Sequence, residues 1–311
     1  MFAMKLVATG AASFGGALLL GVIAATGREV KQSGEDLVAL QRALDSVRIS
    51  LAEAMPARGF AKGRPNVETD FNEDIETPTL DGSSFVDPLA SVVGHVRVGR
   101  SVYVAPFASI RGDEGQPIFL GDGANVQDGV VVHALETTQE GKTVPNRTYS
   151  VGGREYAVYI GKRVSLAHQA LVHGPAQIDD NVFVGMQAMV FKAKIGEGAV
   201  IEPGAKVIGV TIPAHRYVPA GQTVTDQKVA DKLPVITDDY AFRSLNDAVV
   251  HVNTSFAAGY SKLAKEQEEA IRHPKAAAPE GEPGAKAGGK EGKDHGEEKA
   301  KKEPKEAKKS H

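Results

Sequence analysis

The chain contains no cysteine and no tryptophan in 311 residues, and aromatic side chains make up only 6% of it. Without cysteine there is no disulfide framework, and a zinc site built on thiolates is excluded, which leaves histidine as the natural ligand. Either redox compartment stays open. Charge of one sign is also lacking: 36 basic and 39 acidic residues leave a net −3. That balance does not indicate a nucleic-acid-binding surface. The scarcity of rings suggests a core made of small aliphatic layers, too cramped for aromatic side chains.

What is present is a repeat. Aliphatic residues recur every six positions at Val86, Val92, Val98, Val104 and Ile110, then at Leu120, Val126 and Val132. The spacing returns at Ile160, Leu166, Val172, Ile178, Val184 and Val190. After a slip of one residue it continues at Ile195, Ile201 and Val207, with a last run at Ile212, Val218 and Val224. Small residues such as Ala90, Ala108, Ala124, Ala170 and Ala188 stand four positions after many of these. This is the pattern of a hexapeptide parallel β-helix, an all-β core in which each short strand points one aliphatic side chain inward. Three hexapeptides complete one triangular coil, and coils stack about 4.8 Å apart. An ordinary sandwich of strands would not hold a spacing of six over such a length.

The repeat places three histidines. It breaks after Val132 and resumes at Ile160, so Leu135 to Ala157 is read as an inserted loop. Val172 then returns to the face of Val132, and His133 and His173 point outward from that face one coil apart. Two imidazoles at that separation suit a shared metal ion at roughly 2.0–2.1 Å from each nitrogen. His168 falls near a corner on the adjacent face. A neighbouring copy related by three-fold symmetry is expected to bring it to the same ion, so the metal lies between subunits. The six other histidines read as solvated or capping side chains, with His251 set apart below.

The run Ile110-Arg111-Gly112-Asp113-Glu114-Gly115, then Asn125-Val126-Gln127-Asp128-Gly129-Val130, then His133-Ala134-Leu135-Glu136-Thr137 resembles the gamma-class carbonic anhydrases. So do Ser165-Leu166-Ala167-His168-Gln169 and Val172-His173-Gly174-Pro175. The resemblance covers roughly residues 76 to 262 and extends to motif order, spacing and the long loop after Glu136. It implies a left-handed β-helix with a C-terminal α-helix, and a homotrimer with zinc at each subunit interface. His133 and His173 would bind from one chain and His168 from its neighbour. Iron or cobalt suits the same ligands. The implied activity is reversible hydration of carbon dioxide to bicarbonate and a proton by hydroxide held on the metal.

The resemblance also implies roles for other residues. Glu136 matches the proton shuttle, and Glu114 the glutamate that bonds to the metal's water or to bicarbonate. Asn125 and Gln127 match residues that orient hydroxide or bind substrate, and Asn253 matches a further substrate-site amide. Arg111, Asp113 and Asp128 match a network that ties subunits together. Two departures stand out. The loop from Thr137 to Arg154 carries only Glu140 as an acid, against Lys142, Arg147 and Arg154, where the family's prototype has a strongly acidic loop. His251 stands where the prototype has a tyrosine; it is either a buffer group or a tolerated surface substitution.

Two other functions fit a hexapeptide β-helix. One is an acyltransferase, which binds coenzyme A between subunits and uses a single histidine as base. The other is a non-catalytic relative acting as a scaffold or bicarbonate-binding subunit.

The prism (residues 84–226) is flanked on both sides. Residues 1–27 read as a signal peptide or membrane anchor: a basic start, then a charge-free apolar stretch from Leu6 to Thr26. Export to the periplasm or another extracytoplasmic space is the expectation. Residues 33–55 read as an amphipathic helix with Leu37, Leu40, Leu44, Val47 and Leu51 along one seam, ended by Pro56. Residues 56–83 are a linker or wrapping arm. Residues 227–272 are expected to form a C-terminal helical segment, with a short turn near Asp226 to Leu233 and a longer helix opening at Thr237 or Asp238, broken or bent near Gly259. Residues 273–311, almost without apolar side chains, are expected to be disordered.

Overall fold

The computed structural model describes residues 42–44, 46 and 63–273. Three parallel sheets of seven strands each form the sides of a prism. One sheet begins at Thr79–Leu80, the next at Phe85–Val86 and the third at Ser91–Gly94, and the chain visits them in that order coil after coil. The architecture is the left-handed hexapeptide β-helix, carrying a C-terminal helix.

The inward column is what the spacing demands. Ile110, Ile118, Leu120, Ile160, Leu166, Ile178, Ile195, Ile201 and Ile212 are all fully buried. Each withdraws an aliphatic side chain from water, about 1.5–3 kcal/mol apiece as an upper figure. The aromatic rings sit outside this column, as its narrowness requires. Phe85 and Tyr103 of the prism meet Phe256 and Tyr260 of the C-terminal helix, and Phe119, Tyr156 and Tyr159 gather on another face.

The register is direct. Val172 pairs with Val132 and His173 with His133, while Leu166 pairs with Val126 and Ile160 with Leu120. Corners turn through left-handed backbone: Phe107 (φ 62°), Gly129 (φ 68°) and Gln169 (φ 61°) follow one another up a single edge. Only Gly129 in that trio meets the requirement without steric cost.

Several boundaries differ from expectation. The prism begins at Thr79–Leu80, which pairs with Arg97 and Val98, rather than at residue 84. The insertion is more ordered than a loop. It folds as two hairpins, Thr138–Gln139 with Lys142–Thr143 and Tyr149–Val151 with Arg154–Tyr156. Their turns, Glu140-Gly141 and Gly152-Gly153, have positive φ at both central residues, the geometry that suits tight hairpins.

The short helix Gln227–Ala230 is capped by Asp226, whose carboxylate accepts from the Lys228 N–H. The long helix runs unbroken from Leu245 to Arg272. It starts later than Thr237 because Tyr240 is held elsewhere, stacked on Tyr217 and donating to Glu202 at 2.7 Å. Gly259 does not interrupt it; the site is open and costs about 1 kcal/mol against alanine.

Among the described residues, no helix is long and apolar enough to cross a membrane. Residues 1–27 lie outside the described residues. So does most of 33–55, of which Arg42, Ala43, Leu44 and Ser46 are helical and exposed. The tail from 274 onward is likewise outside them.

Candidate metal centre

His133 and His173 end neighbouring strands of one sheet, Val131–His133 and Leu171–His173, each one position past an inward valine. Their rings meet edge to face, with centroids 5.2 Å apart. Phe191, next in the same column, closes on His173 with centroids at 5.1 Å. Both histidines are half-buried.

The turn between the strand ending at Gly112 and the one starting at Ile118 is lengthened, and it carries Asp113 and Glu114 to the same edge. Glu114 Oε1 lies 3.0 Å from His133 Nε2, and Arg111 Nη2 lies 2.5 Å from that nitrogen. Arg111 Nε is 3.4 Å from Asp113 Oδ2. Asp113, Glu114 and His133 thus place one ligand atom each within 4.8 Å of one another. Glu114 Oε2 and Asp113 Oδ1 are buried without a hydrogen-bond partner. Buried carboxylate oxygens left bare are costly, and a bound cation or its water would satisfy them.

The imidazoles are set up as ligands. His173 Nδ1 faces the Gly174 carbonyl at 3.0 Å, and His168 Nδ1 faces Asp128 Oδ2 at 3.0 Å. Each oxygen accepts the Nδ1–H and leaves Nε2 with its lone pair. At His133 the Arg111 N–H points at Nε2, where a cation would otherwise sit. The donor set therefore fits a divalent metal ion.

His168 is not brought to this cluster by its own chain. It stands at the corner before Leu171–His173, more than half exposed, paired with Asp128. Asp128 thus binds His168 in the chain, while Arg111 takes Asp113.

Asn125 and Gln127 form a buried line. Gln127 Nε2 donates to Asn125 Oδ1 at 3.0 Å, and Asn125 Nδ2 donates to Ser165 Oγ at 2.8 Å. The column that Asn125 and Ser165 occupy reads Phe85, Tyr103, Asn125, Ser165, Phe183, Val200, Tyr217, so polar groups fill two central places of an otherwise apolar stripe. The C-terminal helix packs across the first four strands of that face. Asn253 lies on this helix, buried, and its amide donates to the Val249 carbonyl at 2.9 Å. His251 is exposed two residues earlier.

Glu136 opens the insertion, its Oε1 3.3 Å from Arg147 Nη2. Thr137, fully buried, joins it to the Glu114 turn: its hydroxyl donates to the Glu114 carbonyl at 2.6 Å and accepts from the Gln116 N–H at 2.5 Å. Sequence alone assigns no role to Thr137, Arg147 or Ser165. For Ser165 a signal existed, as a hydroxyl in register with Asn125 among apolar neighbours. For the other two it did not, because their partners depend on how the insertion folds.

A histidine pair stacked on a β-helix face, with carboxylates converging on one ring, marks a hexapeptide-repeat protein with a candidate metal site. Comparison with known proteins narrows this further. The chain is 52% identical over 214 residues to the carbonic anhydrase of Methanosarcina thermophila, covering 68% of this chain and 87% of that one. It is 38% identical over 192 residues to the carboxysome assembly protein CcmM of a Nostoc species, covering 62% of this chain and 33% of that one. With the mitochondrial gamma carbonic anhydrase 2 of Arabidopsis thaliana it shares 29% identity over 185 residues, covering 57% of this chain and 60% of that one. Among solved structures it is similar to a putative acetyltransferase of Bacillus cereus, 22% identical, with a TM-score of 0.49, covering 65% of this chain and 99% of that one. No protein-family model matches the chain. The chain belongs to the gamma-class carbonic anhydrases.

Proposed function

We propose that this carbonic anhydrase works as a homotrimer, with zinc held at each subunit interface by His133 and His173 of one chain and His168 of the next. The observation that carries this is the His133–His173 register, with His168 set apart at a corner. His168 sits in the corner turn that the Ala170 N–H closes on the Ala167 carbonyl, and three further residues of extended chain, about 10 Å at roughly 3.3 Å each, separate that corner from His173. Two nitrogens on one zinc lie no more than about 4 Å apart. A neighbouring copy brings the third imidazole in without distorting the prism.

When bound, zinc supplies Lewis acidity, lowering the pKa of a coordinated water to about 7, the value general to carbonic anhydrases rather than one measured on this chain. The chain's own groups do the rest. Asp128 and the Gly174 carbonyl hold His168 and His173 in the tautomer that presents Nε2. Glu114, beside His133, accepts a hydrogen bond from the attacking oxygen or from bicarbonate. The Ser165–Asn125–Gln127 line keeps the Gln127 amide in one orientation toward the substrate, and Asn253 adds a second amide from the helix. Glu136 takes the proton that hydration releases and passes it to buffer. Arg111, Asp113 and Asp128 link subunits around the site. Iron or cobalt would suit the same ligands.

Stopped-flow measurement of carbon dioxide hydration on the purified chain, with elemental analysis and light scattering on the same sample, tests this. Hydration that scales with bound metal, in a particle three times the chain mass, is expected. An active, metal-loaded monomer would refute the shared site.

We further propose that the chain is exported, on the strength of the basic start and the uncharged stretch from Leu6 to Thr26. Expression of the full chain with fractionation should place it outside the cytoplasm; a wholly cytoplasmic product would remove this reading.

A further inference from the structure

We propose that Arg147 is a positioning residue for proton transfer: it holds the Glu136 carboxylate in the place from which that group accepts the proton of hydration and releases it to buffer. The inference rests on the reading of Glu136 as the acceptor.

The pair joins unequal partners. The Glu136 side chain is 41% exposed and Arg147 only 25%, with Arg147 Nη2 3.3 Å from Glu136 Oε1. The carboxylate is therefore open to solvent on one side and guided by a largely sheltered guanidinium on the other. Arg147 Nη1 is buried and makes no hydrogen bond. A sheltered N–H without an acceptor is unfavourable, and a small rotation of Glu136 onto both terminal nitrogens would satisfy it as a fork. The guanidinium thus holds Glu136 by a one-point contact and keeps a second N–H free to take its other oxygen.

Both ends of the pair are fixed by the fold. On one side Thr137, bound to the Glu114 turn, pins the backbone next to Glu136. On the other, Arg147 sits between Asn146, in left-handed backbone at φ 59°, and Thr148, whose hydroxyl donates to Glu155 at 2.5 Å at the foot of the second hairpin. What freedom remains to the carboxylate is therefore set by the guanidinium. Composition makes that placement matter. Within the insertion the other acids are Glu140, exposed at the first hairpin turn, and Glu155, which is engaged by the Thr148 hydroxyl. The insertion offers no run of carboxylates along which a proton could move, so one well-held acceptor must serve.

The test uses the full-length holoenzyme and its Arg147→Ala, Arg147→Lys and Glu136→Ala variants, each checked for metal content and assembly size. Hydration is followed by stopped flow in weak buffer and again with imidazole. Arg147→Ala is expected to lower kcat in weak buffer by roughly 3–10-fold, a part of the 10²–10⁴ that positioned proton transfer supplies. It should leave kcat/KM unchanged and recover with imidazole, while Arg147→Lys, which keeps the charge, retains most of the rate. Wild-type behaviour of Arg147→Ala beside a slowed Glu136→Ala would overturn the role of Arg147 and leave the acceptor in place. A Glu136→Ala enzyme unaffected in weak buffer would overturn both. A buffer-independent loss in kcat/KM for Arg147→Ala would reduce the residue to a structural support and overturn the proposal.

Discussion

His173 lies directly above His133, its register partner on the next coil, and the two rings meet edge to face with centroids 5.2 Å apart. The pairing needs no flexible loop. The residue after each inward valine points outward, and parallel strands stack like residues over like. A metal centre built this way inherits the rigidity of the backbone ladder. In the site proposed above, a third nitrogen donor would come from outside this column, whose next member beyond His173 is Phe191.

Subunit mixing separates a shared site from a self-contained one. His133→Ala and His168→Ala are each expected to lose bound metal and hydration activity. Unfolded together in equal amounts and refolded, the two should regain activity. With random assembly around a three-fold axis, about one quarter of interfaces pair an intact His133–His173 chain with an intact His168 chain. Recovery near a quarter of wild type, measured by stopped flow, is the expected result. No recovery in correctly sized mixed assemblies would show that one chain supplies all three ligands.

Thr137→Val keeps the shape and removes the hydroxyl. The Gln116 N–H then loses its acceptor and the Glu114 carbonyl loses one of two donors, in a position with no solvent access. The expected cost is about 1–3 kcal/mol in denaturant unfolding. Because the same bonds set the turn that aims Glu114, kcat/KM should fall as well. A variant of unchanged stability and rate would show that the turn is held by its backbone alone.

The prism and the histidine pair were legible because both follow from spacing. A column of Val, Ile and Leu every six residues dictates which residues stack, and Val132 with Val172 carried His133 with His173 into place. The insertion was not legible in the same way. Its hairpins depend on the Glu140-Gly141 and Gly152-Gly153 turns, and only once these close do Arg147 and Glu136 meet. The helix start is hidden from the sequence for a related reason. Thr237 and Asp238 are good caps locally, but the Tyr240 ring on Tyr217 and its bond to Glu202 hold the chain out of helix until Ser244.

Ser165→Ala tests the buried amide line. Asn125 Nδ2 would lose its acceptor beneath the C-terminal helix, in a place without solvent access. A loss of about 1–3 kcal/mol is expected, together with a lower kcat/KM, since Gln127 is held only through Asn125 among its side-chain partners in the described residues. Ser165→Thr, which keeps a hydroxyl, should recover part of both. Equal behaviour of the Ala and Thr variants would show that the hydroxyl plays no part.

The clasp of the C-terminal helix is expected to weaken in alkali, and Tyr103 sets the window. Its ring stacks with Phe85 and Tyr260, and Ala257 seals the cluster. Burial pushes the Tyr103 phenol up to about 12, with Tyr260 and Asp87 adding to the shift. In the unfolded chain the same group ionises near 10. Below that pH both states keep the proton and the cluster contributes in full. Between 10 and about 12 the unfolded chain sheds a proton that the folded chain retains, so stability falls as pH rises across that window. Melting temperatures recorded from neutral pH into this range should show the decline in wild type. Tyr103→Phe keeps the ring and removes the titration, so its curve should be shallower by the Tyr103 share. Superimposable curves would mean that the phenol ionises no later when folded than when free, and that the helix is clasped without it.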